Sequence, residues 1–289
     1  MTLPRIIRNF AHNSSEMEHR MEKEGTICFI GAGNVATHLG LALLQTRYTL
    51  TGIYSQTLAH AEYLSAKLGT HTVCTDRLDQ LPQADIYIFM VKDAVLDSVA
   101  QQLSDTLPDA VIHSALFIHT AGSMPMDTLS RLFTHAAVMY PLQSFSKDAI
   151  LDFSEIPLFL ETSDSEAQEA AEHLAHALSK QVSQLNSDGR KVLHLAGVFA
   201  NNFTNHCIAL AHDLLKESDI DPQCLHAIIQ ETIRKALSMD PHEAQTGPAR
   251  RYDTNVMDKH LQMLQDHPEL QDVYSIMSRS IHQHFSTHP

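Results

Sequence analysis

A short apolar run that ends in two closely spaced glycines constrains this chain more than any other feature. Thr26–Ile30 reads TICFI, which suits a parallel strand buried on both faces. It passes directly into Gly31, Ala32, Gly33, Asn34, Val35 and Ala36, and apolar residues then recur with helical spacing at Val35, Leu39, Ala42 and Leu43. Strand, G-x-G-x-x-A and helix, in that order, fit the turn that holds a dinucleotide pyrophosphate. The first glycine permits the tight turn, and the second lets the phosphate approach the backbone. The third small residue lets helix pack on strand, while the helix N-terminus faces the anion. A glycine turn with no ligand is the plainer reading, but it leaves the whole context unexplained. Gly31 through Ala36 are therefore expected to bind a cofactor.

The alternation of strand and helix continues. Strands are expected at 50–54, 72–74, 85–91, 115–119, 136–139 and 157–160, with an edge strand at 181–185. Helices are expected at 59–68, closed by Gly69, and at 94–103, 126–132 and 165–178, the last with a start signal at Ser163 and Ser165. Such spacing means βαβ units and a mostly parallel sheet, a Rossmann-like α/β fold. After Asn186–Gly189 no strand pattern remains. Helices are expected at 190–217, 223–237, 254–264 and 269–285, the first with Val192, Leu195, Phe199, Phe203, Leu210 and Leu214 as its core stripe. The expected organisation is a tail at 1–24, a dinucleotide-binding domain at 25–186 and an all-α domain at 187–289. The polar tail, with Met17 and Met21 ahead of the first strand, reads as frayed or as an upstream start.

Composition excludes several functions. With 20 Lys+Arg against 34 Asp+Glu the net charge is −14, which argues against general affinity for nucleic acid or anionic membrane. No run of 18 apolar residues occurs. The four cysteines form no CxxC pair, and a reducing cytoplasm is the simplest compartment. The 20 histidines suggest metal, but the local groups His173/His176 and His282/His284/His288 lack the spacing of a strong site. No metal is expected.

An acid about 20 residues after the glycines would hold the ribose hydroxyls of NAD. None occurs from Asn34 through Ala61, and 53–57 reads IYSQT. NADP(H) is favoured and NAD(H) stays open, with Ser55, Gln56, Thr57 and His60 as the polar groups at hand. Ordinary turn chemistry accounts equally for the hydroxyls. Ligands bind beyond the carboxyl ends of parallel strands. Val91, Lys92 and Asp93 follow one such end, and His119, Thr120 and Gly122 the next. Asp93 also suits a helix N-cap. In the long helix, His194, Asn201 and Asn205 fall within about 20° of one line, with Asn202 about 80° round. Adjacent asparagines are poor mid-helix residues, and such inconsistencies concentrate at functional sites, though a solvated face would look the same. Thr246–Asp253 (TGPARRYD) sets two cations side by side. They suit a carboxylate or phosphate, or simply a surface pairing with Asp253.

Taken with His119–Gly122 (HTAG), Pro141–Phe145 (PLQSF), His194–Ala196, Asn202–Phe203 and Thr246–Pro248 with Arg251 and Asp253, the glycine turn resembles that of a two-domain family. That family joins a Rossmann-like NADP-binding domain to a helical domain of unknown function. It is similar to pyrroline-5-carboxylate reductase, ketopantoate reductase and the 6-phosphogluconate dehydrogenase superfamily. The resemblance implies an NADP-dependent oxidoreductase, a 6-phosphogluconate dehydrogenase C-terminal-like helical domain, a homodimer through that domain, and a site between the two. Three residues depart from the family pattern. Tyr140 stands where His is common, Tyr252 replaces a Gly, and Gln56 replaces a basic residue.

The expected function is reduction or oxidation of a small anionic C=O or C=N substrate. His194 is the expected proton donor, with Asn202 or Asn201 orienting the reacting bond. Arg251, Thr246, Asp253 and His119 are expected to bind substrate. A nucleotide-binding sensor or scaffold without catalysis is the alternative.

Overall fold

In the computed structural model, residues 24–146, 149 and 151–287 are described. The expected tail, apart from Glu24, and His288 lie outside them. Eight strands form one sheet in the order β3-β2-β1-β4-β5-β6-β7-β8. They are β1 (Gly25–Ile30), β2 (Tyr48–Tyr54), β3 (Val73–Thr75), β4 (Ile86–Phe89), β5 (Leu116–His119), β6 (His135–Pro141), β7 (Leu158–Thr162) and β8 (Val182–Gln184). All neighbours run parallel except β6 and β7, which are antiparallel. Every strand that the hydropathy pattern anticipated is present.

The central strands read as unbroken apolar runs because both faces are covered. Ile27 and Phe29 join Ile53, Ile86, Ile88, Leu116, Ile118 and Met139 on one face. The helices α1 (Asn34–Leu43), α2 (Leu58–Leu68) and α4 (Ser165–Leu178) bury Leu39, Leu64 and Leu174 in that layer. Cys28, Ile30, Tyr87, Phe89 and Phe117 face the other way, against Leu96, Val99 and Leu103 of α3 (Asp93–Thr106). Burying each such large apolar side chain is worth about 1.5–3 kcal/mol. Burial also pushes the Cys28 thiol up to about 11, against a smaller opposing effect of its Thr51 contact, so it is an inert part of the core.

Local signals were partly misread. Gly69 does close α2 in the left-handed conformation (φ 65°). The cap of α4 is Asp164, whose carboxylate accepts from the Glu166 and Ala167 amides, and not the expected serines. The helix expected at 126–132 shrinks to the single turn Asp127–Ser130.

By compactness the chain divides into residues 1–201 and 202–289. The first unit includes α5 (Ser187–Gly197), capped by Asn186, whose side chain accepts from the Gly189 amide. The second contains α6 (Thr204–Glu217), α7 (His226–Ser238), α8 (Thr254–Met263) and α9 (Pro268–Thr287). Between α5 and α6, Val198–Phe203 is π-helical, so the expected continuous α-helix at 190–217 is interrupted. Its expected core stripe is also corrected: Val192, Leu195, Phe199 and Phe203 are all at least half exposed. Helical periodicity reveals an apolar face, but it does not say whether the same chain covers it.

Within the second unit, Tyr274 and His260 join α9 to α8 through a 2.9 Å hydrogen bond. The Arg250 guanidinium lies 4.7 Å from the Phe285 ring centroid. Tyr252, at the position where the resembling family has glycine, takes a left-handed backbone (φ 52°) and stacks on His282 at 3.9 Å. A side chain there costs about 1–2 kcal/mol, which the ring stacking partly offsets.

Candidate functional site

The glycine turn lies where the sheet reverses its order of connection. β1 and β4 are neighbours there, and each feeds a helix on the opposite face. Gly31 has φ 121°, and a Cβ on it would stand 2.5 Å from the Met90 carbonyl oxygen. Both observations require glycine, since the neighbour is backbone and cannot move aside. Gly33 caps α1 without any side-chain bond and has open space where its Cβ would be. The first-turn amides of Asn34, Val35 and Ala36 lie beside that space, with no acid in the turn, and the Asn34 side chain donates to the Phe145 carbonyl at 2.8 Å. Ala36 is fully buried, as the helix–strand contact demands. These residues fit a pyrophosphate. Replacing Gly31 by Ala is expected to weaken NADPH binding about tenfold or more, measured by titration. Unchanged affinity would remove the turn from the site.

At the end of β2, Ser55 is buried and its amide donates to Thr75 at 3.0 Å. Gln56, Thr57 and His60 are exposed beside it. Val91 is half-buried and Lys92 exposed at the end of β4. Asp93 is not the N-cap of α3. Lys92 holds that position, and the Asp93 carboxylate accepts from the Ser123 hydroxyl instead. A bond thus ties the segment after β4 to the loop after β5.

That loop is held from inside by His119. Its ring is fully buried, Nδ1 accepts from the Ala121 amide at 3.2 Å, and Nε2 lies 3.3 Å from the Pro125 carbonyl. The first bond makes Nδ1 the bare nitrogen, so Nε2 carries the proton and donates. Burial, reinforced by the nearby Arg190 charge, pushes this imidazole down to about 4. Neutral, enclosed and occupied at both nitrogens, His119 shapes the turn and has no group free for the ligand contact expected of it. Thr120 is half-buried, its amide donating to Phe89 at 3.2 Å.

From outside, Arg190 grips the same loop. Its guanidinium is 1% exposed and donates to Glu161 of β7 at 2.6 Å, the Met124 carbonyl at 2.6 Å and the Ser187 hydroxyl at 3.2 Å. Burial would raise the Glu161 carboxyl, but the Arg190 and Ser187 bonds outweigh it and hold it below its usual range.

One turn beyond Arg190 on α5, His194 reaches Tyr140. The Tyr140 hydroxyl and Nδ1 are 3.1 Å apart and the rings meet edge-on. Gly122 lies beneath both: a Cβ there would stand 2.8 Å from Nδ1 and from the Tyr140 ring. The structure thus brings His119, Gly122, Tyr140, Arg190 and His194 together at the carboxyl end of β5, one strand from β4.

Asn201 and Asn202 are exposed within the π-helical turn. A π-helix winds differently from an α-helix, so the α-helical alignment of His194 with Asn201 and Asn205 does not hold. Such turns nevertheless occur frequently at functional sites, and the asparagine pair was the local sign of one. In the second unit Arg251 is exposed, and Asp253 caps α8 by accepting from the Val256 amide at 3.3 Å. Arg250 donates to the Glu243 and Gln245 carbonyls, so the alternative reading, a surface pairing with Asp253, does not describe this residue. Among the described residues no three His, Cys, Asp or Glu gather as metal ligands, and no helix is long and apolar enough to cross a membrane.

Sequence reasoning missed Glu161, Arg190 and Ser123, and it met Tyr140 only as a departure. An acid ending an apolar strand was the available signal for Glu161.

Comparison with known proteins adds independent information. A family model described as NADP oxidoreductase, coenzyme F420-dependent, matches residues 26–116. A second, described as a domain of unknown function (DUF2520), matches residues 156–281. Among solved structures, a candidate NADP oxidoreductase from Bacteroides fragilis is 40% identical, with a TM-score of 0.82, over 90% of this chain and 98% of that one. A Thermotoga maritima protein is similar at 20% identity and TM-score 0.66, over 91% and 99%. A pyrroline-5-carboxylate reductase from Coxiella burnetii shares the fold at 15% identity and TM-score 0.53, over 91% and 98%. No curated protein matches the sequence.

Proposed function

This chain belongs to the same family as the Bacteroides fragilis protein and is an NAD(P)-dependent oxidoreductase; from that premise we propose that it reduces a C=O or C=N bond in a small anionic substrate, with His194 as proton donor. The observation that carries the reading is the His194 ring, bonded to Tyr140 over Gly122 at the end of β5. Gly31–Ala36 would hold the cofactor, with Ser55, Gln56 and Thr57 toward the adenosine ribose and Val91, Lys92 and Thr120 toward the nicotinamide. NADPH bound there supplies a hydride. As the substrate carbon accepts that pair, the π electrons move to its oxygen or nitrogen, which takes the proton from His194 Nε2. Solvent then reprotonates Nε2. Asn202, or Asn201, orients the reacting bond. Arg251, with Thr246 and Asp253 beside it, anchors the acidic group.

Two features support the remaining expectations. Exposed apolar residues of the helical unit, including Ile228, Leu237 and Met263, suit a homodimer surface. Four free cysteines suit the cytoplasm.

The test offers NADPH, and NADH in parallel, with a panel of 2-keto acids and cyclic imine carboxylates. Cofactor at about 100 times its Kd should stabilise the protein by about 2.7 kcal/mol, and one substrate class should consume it. Binding without consumption by any compound would favour the sensor and overturn the reductase.

A further inference from the structure

We propose that Tyr140 is the positioning residue for His194, holding Nδ1 so that Nε2 is the nitrogen that meets substrate. This rests on the reading of His194 as proton donor. Tyr140 comes from β6, where it pairs with Phe159 of β7 two residues past the end of the β6 ladder with β5, so its backbone is held by the sheet. His194 comes from a helix whose preceding turn is fixed by the buried Arg190. Two firmly held elements thus meet at one hydrogen bond, 3.1 Å from the Tyr140 hydroxyl to Nδ1. The rings cross at 67°, so the contact is directional and not a stack. Gly122 leaves the space that both need, since any side chain there would press on Nδ1 and on the Tyr140 ring together.

A phenol suits this place because its oxygen accepts a hydrogen bond without carrying charge. In the imidazolium it accepts from Nδ1–H. Once Nε2 has released its proton, the neutral ring keeps that same Nδ1–H bond. The ring keeps its orientation in both states, and no hydrogen bond to Nε2 occurs among the described residues. The proton released to substrate and the proton recovered from solvent therefore pass through the same atom. A carboxylate at this position would hold the imidazolium charged, whereas a phenol leaves the proton free to go.

Tyr140→Phe keeps the ring over Gly122 and removes only the hydroxyl. With histidine ring nitrogens labelled by 15N, the Nδ1 resonance of neutral His194 should move in Tyr140→Phe while that of Nε2 stays in place. On the substrate identified by the panel, kcat should fall about three- to tenfold with KM within about twofold. In the His194→Gln background the same change should have no further effect on kcat. A fixed Nδ1 resonance, a shift confined to Nε2, or an unchanged kcat each overturns the assignment. If no compound in the panel is turned over, the reductase reading fails instead, and the nitrogen spectra still decide whether Tyr140 holds the ring.

Discussion

Replacing His194 by Gln should slow NADPH consumption by about 10²- to 10⁴-fold, the contribution usual for a positioned proton donor. Gln preserves the polarity of the site and can still bond the Tyr140 hydroxyl, but it cannot transfer a proton at neutral pH. Since the lost interaction is made as charge builds on the substrate, kcat and kcat/KM should fall together. NADPH affinity should hold within about twofold, because the glycine turn joins β1 to α1, whereas His194 bonds Tyr140 of β6. Steady-state kinetics together with a cofactor titration separates the two. A drop of less than about tenfold would mean that the proton comes from elsewhere, with Lys92 at the end of β4 the next group to replace.

How much of this was legible in the sequence follows from the range of each interaction. A strand buried on both faces writes itself as a contiguous apolar run, which is why TICFI and IYIF at 86–89 were readable. The glycine turn was readable because its requirement, a positive φ against a neighbouring backbone, falls on one residue type. The clamp on the β5 loop was not. Glu161 and Arg190 stand 29 positions apart, and nothing local marks one as the partner of the other. His119 shows the opposite failure. A histidine in a glycine turn at a strand end resembles a ligand, and only its burial and its two intraloop bonds reveal a structural part. The π-turn was half legible: the asparagine pair flagged an irregularity, but the extra residue that shifts the helix phase has no composition of its own. Tyr140 became meaningful only once β6 was seen two strands from β4, with α5 beside it.

The site's geometry therefore depends on a charge pair one helical turn from His194, and Glu161→Gln should expose that dependence. Arg190 is 1% exposed, and without its carboxylate it becomes a buried charge answered by a carbonyl and a hydroxyl alone. Breaking a buried pair from one side costs about 3–5 kcal/mol, which for a domain of this size lowers Tm by about 10 °C. Replacing both partners, as Glu161→Leu with Arg190→Met, should recover much of that loss, because the penalty lies in the orphaned charge. Acid should act in the same direction. Glu161 titrates below its usual range in the fold, so its contribution is complete above its unfolded value, about 4.3, and disappears as pH falls through the folded one. His119 adds an earlier loss. The unfolded chain takes a proton at its ordinary 6.5 while the folded ring refuses one until about 4, so stability declines across that interval by about 3 kcal/mol. Thermal melts between pH 8 and pH 4 should show wild type and Glu161→Gln both falling from pH 6.5 downward, about 10 °C apart, with the gap closing only below about 4.3 as Glu161 takes its proton. A Tm difference under about 2 °C at neutral pH would mean that Arg190 finds adequate compensation without Glu161.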